Sequence, residues 1–293
     1  MIRFFIFILL ILNVADVKAE EASPKAITVG VIPGGDPKEL KIQGMKLVKE
    51  LQEKINIPVN LYISKDYVGL LEAMKTKKIE FAFFNSMTYV FAENQAQAKV
   101  LLKKVWEGPF YYSALITPDD SGIKNLKEIK GHTIAFVDDK SSSGFLYPQV
   151  ALRKAGLSEA DLKAAVFSGN HQASVELLEA DKVKVAAVFT DDEAGQRGAW
   201  IKFAKDKKKK YRILWVSSPI PNDPFCVRQD FYDSFPKTTH NLMFALMEIF
   251  EKEKNNGSLS EILGSGGLML ATTRQYDPVR EMVKLLNIEL KPK

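Results

Sequence analysis

From residue 25 onward short apolar runs alternate with amphipathic stretches of helical period, and this alternation confines the chain to layers of helix on sheet. Residues 27–32 read as a strand, Pro33, Gly34 and Gly35 as a turn, and 37–55 as a helix whose Leu40, Met45, Leu47, Val48 and Leu51 gather on one face. Residues 58–63 form a second strand, 67–75 a helix capped by Asp66, and 79–84 a third strand. Strand–helix–strand–helix–strand is the grammar of a mostly parallel sheet with helices on both faces, since parallel neighbours need a crossover.

A second cycle follows. Strand 111–117 ends in the polar break Pro118-Asp119-Asp120-Ser121-Gly122. Strands 133–137, 164–167 and 184–189 then alternate with helices 145–155 and 171–180. After another break at Ser217-Ser218-Pro219-Ile220-Pro221 come helix 236–253, a helical turn at 259–263 and helix 277–286. Two breaks imply that the chain leaves one unit, builds a second and returns. The expected lobes are residues 20–117 with 217–293, and residues 118–216, joined by a two-strand hinge. Ligands of such α/β folds lie between the lobes, at the carboxyl ends of strands.

Residues 1–19 differ in kind. Arg3 is followed by an all-apolar run, 4–12, and then by Val17-Lys18-Ala19. Nine apolar residues fall short of the roughly 20 that span a bilayer, but they suit a cleavable secretory signal with Glu20 as the mature start. No lipid-accepting cysteine is expected, and Cys226, alone in the chain, cannot form an internal disulfide. A net charge of +5 is scattered, so nucleic acid is not an expected partner. The dense run Lys207 to Lys210 reads as a solvated loop, with a membrane-surface or partner contact as the alternative.

The segment richest in chemistry is Asp138-Asp139-Lys140-Ser141-Ser142-Ser143-Gly144-Phe145-Leu146-Tyr147-Pro148. The first N–H groups of a helix lack internal partners, and the peptide dipoles leave partial positive charge there. Three hydroxyls and a glycine at that point make a cradle for a tetrahedral oxyanion. A single capping serine would satisfy the plainer reading.

With these residues in view, the chain resembles the phosphonate/phosphite-type periplasmic solute-binding proteins of ATP-binding-cassette importers, of the two-lobed class-II binding fold. The resemblance spans roughly nine-tenths of the mature chain. It rests on an ordered series: Val29-Gly30-Val31-Ile32-Pro33, Asp66-Tyr67-Val68-Gly69-Leu70-Leu71, Phe81-Ala82-Phe83-Phe84-Asn85-Ser86, Tyr111-Tyr112-Ser113, the serine cluster, Ser168-Gly169-Asn170-His171, and Ile220-Pro221-Asn222-Asp223-Pro224. The resemblance implies that Ser141, Ser142 and Ser143 hold phosphonate oxygens, with Ser142 standing where the family commonly has threonine. It makes His171 an anion contact, protonated beside a dianion. It puts the Tyr67 and Tyr111 phenols on the cleft wall, and Asp191 and Asp223 at the ammonium end of an aminoalkylphosphonate. Glutamate is the more usual family residue at the position of Asp191. Asn85 and Ser86 face the cleft edge by topology, with Ser86 as a possible N-cap.

The expectation is therefore a monomeric, exported binding protein, without catalysis, cofactor or metal, that hands a small phosphonate such as 2-aminoethylphosphonate to a membrane permease. Phosphite, phosphate or another oxyanion is the alternative ligand, and a periplasmic sensor is the alternative role. A Ser/His hydrolase is disfavoured, because no Gly-x-Ser-x-Gly elbow exists. Three histidines and one cysteine offer no zinc spacing.

Overall fold

The computed structural model describes residues 23–32, 37–106, 108–253 and 266–290. The expected leader, the turn after the first strand and the helical turn at 259–263 lie outside the described residues.

The chain opens with β1 (Ile27–Val31), α1 (Pro37–Ile55), β2 (Val59–Ile63), α2 (Tyr67–Lys75), β3 (Phe81–Phe83), α3 (Ser86–Gln95) and β4 (Ala98–Val105). It crosses into β5 (Phe110–Pro118), β6 (Thr133–Phe136), α4 (Tyr147–Lys154), β7 (Ala164–Phe167), α5 (His171–Glu179), β8 (Val185–Thr190), α6 (Ala199–Phe203), β9 (Tyr211–Val216) and β10 (Ile220–Pro221). It returns through β11 (Pro224–Arg228), α7 (Gln229–Ser234), α8 (Pro236–Glu253), β12 (Gly267–Leu270) and α9 (Asp277–Leu285).

Two mixed sheets result. The first runs β12-β4-β11-β3-β1-β2, and the second β10-β5-β8-β6-β7 with β9 also on β5. Parallel pairing is confined to β2, β1, β3 and to β7, β6, β8. Strands that arrive by crossing between sheets pair antiparallel, which makes the sheets less parallel than the helical punctuation alone implies. The sequence break at 118 also misplaces one strand. Phe110–Pro118 pairs with β8, β9 and β10, so it belongs to the second sheet, and the chain crosses earlier, between Val105 and Phe110.

Hydrophobic layers cover both faces of each sheet. Leu40, Leu47, Leu51, Leu242, Leu246 and Phe250 of α1 and α8 close one face of the first sheet. On its other face Leu70, Met74, Val90, Val279 and Val283 pack with Leu146 and Tyr147, which come from the second lobe. One core layer thus spans the lobes. The crossing segments are stitched as well. Asn222 Nδ2 donates to Gly108 O at 2.9 Å, and Tyr276 Oη donates to Asn222 O at 2.8 Å.

In the basic run Lys207, Lys208 and Lys210 are exposed, while Lys209 caps a helix. Lys209 Nζ donates to Glu179 O at 3.0 Å and to Leu178 O at 3.4 Å, satisfying carbonyls at the C-terminus of α5. Cys226 is buried and unbridged.

Candidate ligand site

The serine cluster opens in an unusual way. Residues Ser142–Leu146 form a π-helical turn, with Leu146 N donating to Ser141 O at 2.9 Å, before α4 begins. Pro148 supplies the reason. In a continuous α-helix its N–H would bond the Gly144 carbonyl, but proline has none. That carbonyl accepts instead from Val137 N at 3.1 Å, at the end of β6. Gly144 is required for this approach, because a Cβ there would stand 2.5 Å from Val137 Cβ. We expect Gly144→Ala to destabilise the fold by about 1–3 kcal/mol through overpacking, read as a lowered urea midpoint.

All three serines are buried. Ser141 Oγ accepts from Gly144 N at 3.0 Å and caps the turn. Ser142 Oγ accepts from Met87 N at 2.8 Å, a bond from the second lobe to the first turn of α3, and it shares a hydrogen bond with the Tyr111 hydroxyl. The backbone carbonyl of Ser143 accepts from Ser113 Oγ at 2.6 Å. Its own hydroxyl has no protein partner among the described residues. A second interlobe bond runs from Asn85 Nδ2 to Lys140 O at 3.0 Å. Asn85 is also the N-cap of α3, its Oδ1 accepting from Thr88 N at 2.7 Å. The capping role read for Ser86 is therefore corrected: Ser86 Oγ donates to Pro221 O instead.

Tyr67, Tyr111, Ser142 and Asp223 come together. Burial, followed by the charge of Asp223, pushes both phenols well above their ordinary value, so both keep their protons. Tyr67 also shares a hydrogen bond with Asn85 and feels Asp138. Asp138, absent from the sequence-based site, is itself raised, first by burial, while its Oδ1 accepts from Lys140 N at 2.8 Å. Asp223 has a cationic partner within the protein. Lys104 Nζ of β4 lies 3.3 Å from its Oδ2.

His171 begins α5 behind the cap Asn170. The preceding loop is tied to the strand that holds the cradle, since Gly169 N donates to Val137 O at 2.8 Å. The imidazole stands edge-on to Phe189, centroids 5.0 Å apart, and its buried Nδ1 has no partner. Burial pushes its pKa down to about 4, leaving the ring neutral at pH 7. Asp191 follows β8 and lies in a turn where its N–H donates to Arg197 O at 3.2 Å. It is not among the charges that act on the two tyrosines. Among the described residues no group of three or more His, Cys, Asp or Glu could hold a metal ion.

Buried hydroxyls and a helical turn of the second lobe, with the Tyr111 phenol of the same sheet and the Tyr67 phenol of α2 in the first lobe, suit a small anion with an organic substituent. Comparison with known proteins agrees. The family described as "ABC transporter, phosphonate, periplasmic substrate-binding protein" matches residues 29–276. The chain belongs to this phosphonate-binding family. A phosphonates-binding periplasmic protein of Escherichia coli K12 is 26% identical over 269 residues, covering 89% of this chain and 77% of that one. A phosphate-import protein of Mycolicibacterium smegmatis is 35% identical over 166 residues, 53% of this chain and 52% of that one. Among solved structures, PhnD1 from Prochlorococcus marinus in complex with methylphosphonate superposes with a TM-score of 0.76. Its identity is 21%, over 90% of this chain and 99% of that chain. The family is one of periplasmic substrate-binding components of ABC transporters. No helix among the described residues is long and apolar enough to cross a membrane.

Proposed function

We propose that this phosphonate-type binding protein selects a zwitterionic aminoalkylphosphonate, such as 2-aminoethylphosphonate. The phosphonate would sit on the hydroxyls of Ser141, Ser142 and Ser143 and on His171, and the ammonium near Tyr67, Tyr111 and Asp223. The observation that carries this reading is the pair of buried, protonated phenols lying in the field of Asp223, with Asp138 adding to it at Tyr67. Acidity at Asp223 and Asp138, together with the hydroxyl donors of the serine turn, complements a dipolar ligand. Asp191 takes a lesser part, through water or by widening the pocket.

Ligand would bridge the lobe built on the first sheet to the lobe built on the second, which takes in β5 to β10. The clamped form of the monomer, exported after loss of residues 1–19, would then dock on its permease. Catalysis is not part of the reading. The Ser142 hydroxyl is engaged by Met87 N and Tyr111, and no carboxylate orients His171 through Nδ1.

The Lys104–Asp223 ion pair favours a second reading, in which a simple phosphonate or phosphate binds and Asp223 only anchors β4. Calorimetry separates the two. Asp223→Ala is expected to weaken 2-aminoethylphosphonate by about 2 kcal/mol, roughly thirtyfold, and methylphosphonate by much less. Equal losses for both ligands would establish the second reading.

A further inference from the structure

Lys104 and Asp223 meet where the chain leaves the first sheet and where it comes back. Lys104 lies in β4 and Asp223 just before β11, and the two strands pair antiparallel from Lys103 and Pro224 onward. Lys104 N donates to Asp223 O at 2.9 Å, so the backbone already sets the two residues side by side as cross-strand neighbours. The side chains add the 3.3 Å contact of Nζ with Oδ2. That is longer than the roughly 2.7–2.9 Å of a tight ammonium–carboxylate bond, so the pair is loose. Asp223 Oδ1 has no hydrogen-bond partner among the described residues. The carboxylate therefore keeps accepting capacity after meeting Lys104.

The pair is not an ordinary surface bridge. The Lys104 side chain is 14% exposed and that of Asp223 31%, and Nζ also stands 5.6 Å from the centroid of the Phe83 ring. Charges so placed are screened by salt much less than exposed ones. Meanwhile the charge of Asp223 helps to hold the protons on the buried Tyr67 and Tyr111 phenols. One carboxylate thus serves an internal cation and two aromatic walls of the candidate site.

We propose that Lys104 is a specificity-determining residue, which screens Asp223 and so sets how strictly the site demands a cationic group on its phosphonate ligand. The proposal rests on the reading above in one respect, that Asp223 faces the ligand. A simple phosphonate then meets an ion pair of no net charge where it would otherwise meet a bare, repelling carboxylate. The ammonium of an aminoalkylphosphonate has to share Asp223 with Lys104. Loss of the lysine charge moves the two ligand classes in opposite directions.

Calorimetry on the exported protein with methylphosphonate and 2-aminoethylphosphonate tests this. Lys104→Met keeps an unbranched stem without the charge, and Lys104→Gln is a second neutral variant should the first fail to fold. Each is expected to weaken methylphosphonate about fivefold and to tighten 2-aminoethylphosphonate severalfold. Adding Asp223→Asn to either should recover most of the methylphosphonate loss, and Lys104→Arg should keep the native preference. The proposal is overturned if methylphosphonate affinity falls in neither neutral variant, or if Lys104→Arg reproduces the fall. A fall that survives Asp223→Asn would overturn it too, since Lys104 would then act on the ligand directly. If both ligands weaken alike and Asp223→Asn reverses both losses, screening by Lys104 stands and the aminoalkylphosphonate reading falls.

Discussion

Replacing Ser142 and Ser143 together by alanine is expected to weaken phosphonate binding by about 2–4 kcal/mol, or roughly thirtyfold to a thousandfold. Hydrogen bonds to a charged phosphonate are the strong kind, and both hydroxyls lie in a site shielded from water. The two serines do not contribute alike. Ser143 Oγ has no protein partner among the described residues, so its removal alone acts on the ligand. Ser142 Oγ also accepts from Met87 N across the lobes, so its loss leaves a buried N–H without a partner as well. Calorimetry on the double variant and on Ser143→Ala measures the sum and the direct part. Unchanged affinity in the double variant would remove the cradle from recognition.

The second large effect is on stability against pH. Burial pushes His171 down to about 4, against roughly 6.5 for an unperturbed imidazole. Between those values the unfolded chain binds a proton that the folded chain refuses, so stability falls as pH falls. The contribution is intact above about pH 6.5 and is lost progressively down to about pH 4, amounting to about 3 kcal/mol. His171→Phe keeps an aromatic ring beside Phe189 and removes the titration. Urea midpoints at pH 7, 5 and 4 should therefore fall more steeply for the native chain than for the variant. Parallel slopes would show that the imidazole titrates freely.

Much of the framework was legible because local rules and tertiary structure agree. Helix α1 has the bounds its apolar spacing implies. Helix α2 starts behind Asp66, whose Oδ1 accepts from Gly69 N at 2.7 Å, as a cap should. Strand β4 was missed because Lys99, Lys103 and Lys104 interrupt its apolar pattern, and β11 because prolines flank its start. Both are crossing strands, whose pairing depends on distant partners. The polar break at 118 was louder than the crossing itself, which hides in Trp106, Gly108 and Pro109. In the site, residue types carried the serines and tyrosines. The Lys104 pairing and the Asp138 field were not legible, since they arise only when β4 and the end of β6 meet the cleft.

The proline-freed carbonyl of Gly144 has a mechanical consequence. By bonding Val137 it fastens the serine turn to a strand end and not to the body of its own helix. Thermal fraying of α4 then leaves the cradle's geometry in place. In the proposed closure of the lobes, the serine turn would travel with the second sheet as rigid cargo and arrive at α3 already assembled.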